Sequence, residues 1–462
     1  MRATKLVCTL GPASEERVAD LVGAGMDVAR INCSHGQRED HDRLLAVVRA
    51  AADRAGAPIG VMADLSGPKI RLGDLRDGEV TLAPGARFVL RPDGRGDSLG
   101  AATTHPGLAA DLEPGDRVLL ADGAVELRIV EETGRTVVTE VVRGGIVRSR
   151  AGVNVPSERL SVPAITPKDE DDLRWALRAE VDMVAQSFIR HAHDVRALGA
   201  LCTEPRPVLV AKLETRAAVD DAGAILDAAD AAIVARGDLG VEAALEEIPV
   251  FQKRLVALAN AAARPVIVAT QMLESMTRSP VPTRAEAQDV AQAVFDGADA
   301  ILLSAETAIG DYPVEAARTA ARILETAATK GAEFLPAGRE PAGLDLEELP
   351  LARAAAVLVR AGGASAVACF TRSGLTARLL SSARPSVPIH AFSPDPHAVG
   401  RMTLFHGVIP RTCQAPEDTD AMIAMMDAGL RDAGLAGTVV MVASSPAGRT
   451  HANLLKVHHL GA

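Results

Sequence analysis

Short apolar runs, each closed by polar residues, recur along this chain, and they constrain its fold more than any other feature. Three stand close together, at 208–210, Ala231–Ala235 and Val266–Ala269. They run into Lys212-Leu213-Glu214, Arg236-Gly237-Asp238 and Thr270-Gln271-Met272-Leu273-Glu274. Each run reads as a parallel strand buried on both faces. They are about one strand–helix unit apart, so their ends gather on one face. A lysine, two carboxylates and a threonine then converge. Such a set can hold a divalent metal, a phosphate and a proton-transfer partner at once.

The pattern continues at 6–7, 28–31, 59–63, 183–185 and 301–303. The polar ends there are Thr9, then Arg30 and Asn32, then Asp64, then Gln186 and Ser187, then Ser304 and Glu306. Eight strand–helix units predict an α/β fold, a (β/α)8 TIM barrel with its active site at the C-terminal strand ends. The spacing breaks once, between the third and fourth strands, where an inserted domain is expected.

The barrel's first part is expected over 1–66 and its second over 164–337. Residues 67–163 read as a small inserted β-barrel lid domain, all-β, with turns at Asp122-Gly123 and Thr133-Gly134. Thr166-Pro167-Lys168-Asp169 reads as a helix start that restores the barrel. Residues 338–349 form a polar linker, and 350–462 alternate helix and strand as a C-terminal α/β regulatory domain.

Composition narrows the partners. A net charge of −11 argues against nucleic acid, which needs basic stripes. No apolar run reaches the ~20 residues of a membrane span. The five cysteines are scattered and unpaired in spacing, as in a cytoplasmic protein. Residues 1–7 run straight into a strand, so no signal peptide is expected. Lysine is scarce beside arginine, so Lys212 at a strand end points to a site that needs a lysine rather than an arginine.

The motifs in order resemble the pyruvate kinase family over essentially the whole chain. They are 4–14 (TKLVCTLGPAS), 25–36 (GMDVARINCSHG), 64–71 (DLSGPKIR), 235–240 (ARGDLG), 269–276 (ATQMLESM), 282–286 (PTRAE) and 303–313 (LSAETAIGDYP). The resemblance implies transfer of a phosphoryl group from phosphoenolpyruvate to ADP, giving pyruvate and ATP. Lys212 then holds the phosphoryl group in flight, and Glu214 and Asp238 ligate Mg2+ (or Mn2+). Ala235, Gly237 and Asp238 bind the substrate carboxylate, and Thr270 stands beside the enolate carbon as part of a relay with Ser304 and Glu306. Arg30 and Arg71 clamp phosphate oxygens. Asn32, Ser34, His35 and Arg71 face the nucleotide, and Pro68 is the lid hinge. Thr283 and Glu286 read only as a capping box.

Departures from the family carry their own expectations. Ala151 precedes Gly152-Val153-Asn154 where relatives carry lysine; either a lid contact to the nucleotide phosphate is missing or Arg150 supplies it. Ile309 also stands where many relatives have lysine. Lys69, Leu65 and Ser66 replace Glu, Thr and Lys of K+-dependent relatives. Asn32, Ser34, Asp64 and Leu65 then mark a vestigial K+ site, with the Lys69 ammonium near it, and K+ is not required. Thr371, Arg372, Ser373, Gly374 and Thr376 form the expected loop for a phosphorylated effector, in a homotetramer. Two rival readings are another barrel enzyme acting on phosphoenolpyruvate or pyruvate, and a degenerate paralogue that only binds metabolites.

Overall fold

The computed structural model describes residues 2–121, 123–156, 159–335, 349–444 and 452–461. Eight parallel strands close into a barrel. They are Lys5–Thr9, Val28–Asn32, Gly60–Leu65, Met183–Gln186, Val208–Leu213, Ala231–Ala235, Val266–Ala269 and Ala300–Leu303. The first pairs with the second and closes on the eighth, with Lys5 opposite Ala300. Alternate residues divide between two cores. Leu6, Cys8, Ala29, Ile31, Val61 and Ala63 pack under the surrounding helices. Val7, Val28, Met62, Met183, Ile233 and Ile267 fill the barrel interior. Both faces are thus apolar, which explains the unbroken hydrophobic runs.

The barrel helices are started and stopped by local chemistry. Thr166 caps Pro167–Arg178 in a reciprocal box with Asp169, and Pro167 occupies the first turn, where a missing N–H costs nothing. Thr283 and Glu286 form a second box on Arg284–Asp296.

Between the third and fourth barrel strands lies a six-stranded sheet and a two-stranded ribbon, Gly145–Arg148 with Glu79–Leu82. Both close round one core that includes Phe88, Leu90, Leu120, Leu127 and Val147. Thr133-Gly134 turns the chain between Val125–Glu132 and Val137–Arg143. Asp122, of the other expected turn, lies outside the described residues, as does the linker at 338–348. Leu349 opens the helix Leu349–Gly362 instead of ending the linker.

The C-terminal domain is a five-stranded sheet in which Leu454–Leu460 runs antiparallel to Gly437–Ala443. Its Val399, Met402, Leu404 and Phe405 join the barrel-interior residues in one apolar cluster. Lys5, at the start of the first strand, donates to the carbonyl of Val408 at 2.7 Å. The domain therefore plugs the N-terminal mouth of the barrel, opposite the catalytic ends of the strands. Among the described residues no helix is long and apolar enough to cross a membrane.

Candidate active site

The fifth strand delivers Lys212 to the mouth of the barrel. Its Nζ donates to Ser187 Oγ at 2.7 Å and lies 3.2 Å from Glu214 Oε2 and 3.6 Å from Asp64 Oδ1. Burial alone would lower its pKa, but the Asp64 and Glu214 carboxylates outweigh it and raise the value. The lysine stays charged in a site from which water is largely excluded. Asp64 is held on its other oxygen by Arg30 Nε at 2.7 Å. It resists its own burial because Lys212 and Arg30 keep its pKa low. Arg30 also donates to Thr9 Oγ1 at 2.8 Å.

Glu214 is the uneasy member. Its Oε1 accepts the Phe188 backbone N–H at 2.7 Å. Its Oε2 is buried without a hydrogen bond, because the Lys212 ammonium at 3.2 Å approaches off the bonding direction. Burial pushes its pKa up to about 7; Lys212 pulls it down without overcoming that burial, and Asp238 adds a smaller repulsion. A buried carboxylate oxygen without a hydrogen bond, in the field of a second carboxylate, fits a divalent cation. Among the described residues no group of three or more His, Cys, Asp or Glu is placed to hold a metal. Two carboxylates are nevertheless a sufficient protein share for Mg2+, which takes its remaining oxygens from substrate and water.

Asp238 sits in the first turn of Arg236–Glu242, directly after Ala235. Its Oδ1 accepts from Lys69 Nζ at 3.1 Å. Lys69 therefore does not sit on Asn32, Ser34 or Asp64 as the sequence suggested. Its ammonium crosses from the lid hinge to the metal-side carboxylate and lies over the Phe188 ring. Asp64 is already occupied by Arg30 and Lys212, so Asp238 is the carboxylate left for Lys69. The Leu65 carbonyl is taken by Ser187 Oγ at 2.7 Å.

Thr270 and Gln271 have φ of 75° and 55°. A β-branched residue in the left-handed region is strained, and such strain concentrates at functional sites. Two features hold it there. Arg236 donates to the carbonyls of Ala269 and Thr270. Gly237 leaves room for the side chain, since a Cβ there would lie 2.6 Å from Thr270 Cγ2. Thr270 is not a helix cap; the next helical turn, Glu274–Thr277, starts after Leu273. The expected relay through Glu306 is not present either. Both Glu306 oxygens accept backbone N–H groups, from Leu273 at 3.0 Å and Ser304 at 2.7 Å, and brace two strand-end loops.

Across the mouth, Asn32 Oδ1 accepts the Ser34 N–H at 3.1 Å, and the His35 carbonyl accepts from His41. Burial lowers the His35 pKa, and Arg71, Arg30, Lys168 and Lys69 lower it further, so this neck is strongly positive. Arg71 NH1 donates to the carbonyl of Arg150 at 3.2 Å. The Arg150 side chain turns away to Asp74, at 3.1 Å, and does not replace the missing lid lysine. In the C-terminal domain Gly374, with φ of 88°, gives its N–H to Thr371 Oγ1 at 3.0 Å and starts the helix Leu375–Ser382. Arg372 and Ser373 are exposed beside it, and Thr376 is buried.

Three contributors were not singled out from sequence. Ser187 bridges Lys212, Leu65 and Asp64; Arg236 fixes the Thr270 loop; Lys168 joins the Cys33 carbonyl to Asp172, both at 2.6 Å. Ser187 and Arg236 left a trace as polar residues at strand ends, and Lys168 as part of a helix start.

A buried ammonium between carboxylates, a cationic neck and an inserted β domain at the catalytic end of a (β/α)8 barrel define an enzyme class. It is that of lidded barrel enzymes handling phosphorylated substrates. Residues 1–317 match the profile described as pyruvate kinase, barrel domain, and residues 350–458 that of pyruvate kinase, alpha/beta domain. Pyruvate kinase of Corynebacterium efficiens is 42% identical, the match covering 100% of this chain and 98% of that protein. Pyruvate kinase of Mycobacterium tuberculosis is 41% identical, covering 100% and 99%. A crystal structure of a pyruvate kinase from Cryptosporidium parvum superposes with a TM-score of 0.91 at 30% identity, covering 100% of this chain and 96% of that one. This chain belongs to the pyruvate kinase family.

Proposed function

We infer that the chain is a phosphotransferase that moves the phosphoryl group of phosphoenolpyruvate to ADP, yielding pyruvate and ATP. The observation that carries this reading is Lys212, buried and charged, held by Ser187 between Asp64 and Glu214. A loose, highly charged phosphoryl transition state needs positioning and neutralisation more than covalent help. Lys212 supplies a point charge there, and Arg30 a fork for the phosphoryl oxygens. Glu214 and Asp238 would hold Mg2+ or Mn2+, which when bound neutralises phosphoryl and enolate oxygens. The Ala235–Gly237 turn receives the substrate carboxylate. Thr270, pressed against Gly237, orders a water beside the enolate carbon; its hydroxyl is far too weak an acid to act alone. Arg71, Asn32, Ser34 and His35 bind the nucleotide under the lid, whose closure excludes water.

Four finer readings belong to the same proposal. K+ is not required, because Lys69 supplies a fixed positive charge at the mouth, close enough to act on His35. The loop 371–376 binds an effector phosphate, and Ser373→Asp is expected to abolish that response; an unchanged response would make the loop a plain helix start. The assembly is a homotetramer, read by sedimentation, where a monomer would refute it. Its free cysteines suit the cytoplasm. The activity itself is tested by a coupled assay with phosphoenolpyruvate, ADP and Mg2+.

A further inference from the structure

Ser187, Phe188, Ile189 and Arg190 follow the fourth barrel strand, Met183–Gln186, and each is tied to something beyond its own loop. Ser187 holds Lys212, and the Phe188 N–H holds Glu214. The Ile189 carbonyl accepts from Thr215 Oγ1 at 2.9 Å, next to Glu214. Arg190 reaches the other way, to the lid. Its guanidinium donates to the carbonyl of Leu160 and, at 2.7 Å, to that of Val162, where the chain returns from lid to barrel. Ser161, between them, is held from the lid side. Its N–H and Oγ donate to Asp111 Oδ2 at 3.1 and 3.0 Å, and the same oxygen meets His105 Nε2 at 2.7 Å. The returning peptide is therefore gripped by the lid at one residue and by Arg190 at the two beside it.

The outgoing lid connection rests on the same loop. Gly67 has φ of 63°, and a Cβ there would lie 2.7 Å from the Ser187 carbonyl oxygen and 3.1 Å from the Phe188 ring. Phe188 itself has φ of 55°, a strained backbone for a bulky side chain, and strain of this kind concentrates at functional sites. Around these contacts a crevice of about 40 Å³ is left between Val153 and Leu160 of the lid and Phe188 of the barrel, so the lid sits with little slack. We propose that Arg190 is a positioning residue for phosphoryl transfer: it ties the lid's return to the loop that holds Lys212 and Glu214, so that closure brings the nucleotide to the place where the phosphoryl group is aligned. The proposal rests on the phosphotransferase reading of the site. A guanidinium fork on two carbonyls makes two charge-assisted bonds at once and so fixes an angle, whereas a lysine at this position holds the peptide at a single point. Misplacement of reacting groups by an ångström costs up to about 10² in rate.

The test uses the full chain with Arg190→Gln and Arg190→Lys. Mn2+ binding, read by electron paramagnetic resonance without nucleotide, should be unchanged in both, because Ser187 and Phe188 keep their partners. In the coupled assay kcat should fall about tenfold or more in Arg190→Gln and half-saturating ADP should rise, with part of the loss recovered in Arg190→Lys. Hydrogen exchange read by mass spectrometry should quicken in peptides covering residues 159–163 and stay unchanged in the barrel strands. Should Arg190→Gln fail to fold, Arg190→Lys carries the test, with a smaller loss of kcat and the same faster exchange. Equal kcat and equal ADP saturation in wild type and variant overturn the positioning role. Mn2+ binding lost in step with kcat makes Arg190 a support of the metal site and also overturns it. A wild type that forms no pyruvate refutes the phosphotransferase reading; unchanged exchange at 159–163 refutes the hold of Arg190 on the lid whatever the activity.

Discussion

Glu214 and Lys212 divide the labour at the barrel mouth by their surroundings alone. Both are withdrawn from water, yet Lys212 faces two carboxylates and stays charged, while burial, with a smaller repulsion from Asp238, raises the pKa of Glu214 despite Lys212. Replacing Lys212 by Met removes the charge aimed at the phosphoryl group and leaves the fold, since the Met chain fills the same volume. Turnover is expected to drop by roughly 10²–10³ or more in a variant that still folds and still binds Mg2+ and phosphoenolpyruvate. Lys69 gives a second residue-scale prediction. Wild-type activity should be nearly equal in K+, Na+ or tetraalkylammonium salts at one ionic strength. Lys69→Glu with Leu65→Thr should create K+ dependence. A wild type inactive without K+ contradicts the role of Lys69 and leaves the family intact. Because Lys69 occupies Asp238, Lys69→Met should also tighten Mn2+ binding in the absence of substrate, read by electron paramagnetic resonance; unchanged affinity would show that the ion pair does not compete with the metal.

At the scale of elements, the seventh strand's loop is the most constrained piece of the site. Thr270 is held in a strained backbone by Arg236 and fits only because residue 237 has no side chain. Gly237→Ala is expected to push Thr270 aside, cutting turnover far more than it weakens Mn2+ binding and costing about 1–3 kcal/mol in unfolding measurements. Wild-type kinetics in that variant would contradict the packing argument. The same loop shows where sequence reading stops. Strand positions and their polar ends were legible because a parallel barrel buries both faces and spends polarity only at the ends, which is how Lys212, Glu214, Asp238 and Thr270 were found. Contacts that cross between elements were not legible. Lys69 reaching Asp238, and Arg236 reaching back to Thr270, depend on side-chain reach across folded neighbours, which no local period encodes. Glu306 looked like a relay because it stands at a strand end; its two backbone partners exist only once the loops are folded.

At the scale of the molecule, the joint between barrel and C-terminal domain holds a titrating group. Asp182 accepts the Val61 N–H at 2.8 Å and packs so tightly on Gly400 that a Cβ there would lie 1.7 Å from its Oδ1. Burial raises its pKa to about 6, opposed by the Val61 bond, His397 and Arg401. The folded chain therefore holds a proton that the unfolded chain has already lost between about pH 4 and 6. Its contribution to stability falls as pH rises through that window. Asp182→Asn keeps an acceptor for Val61 and removes the charge. It should raise the unfolding midpoint relative to wild type at pH 8, and the gap should shrink as pH falls below about 6 and close near pH 4; a gap independent of pH would contradict the assignment. The opposite end of the barrel carries the phosphoryl-transfer site. The most direct measurement of that transfer is pyruvate formed from phosphoenolpyruvate and ADP with Mg2+, followed by coupled oxidation of NADH, in wild type and Lys212→Met side by side. The wild type is expected to yield ATP and pyruvate in equal amounts, and the variant to be folded and nearly inactive. No pyruvate from the wild type, or wild-type turnover in the variant, would contradict the phosphotransferase reading.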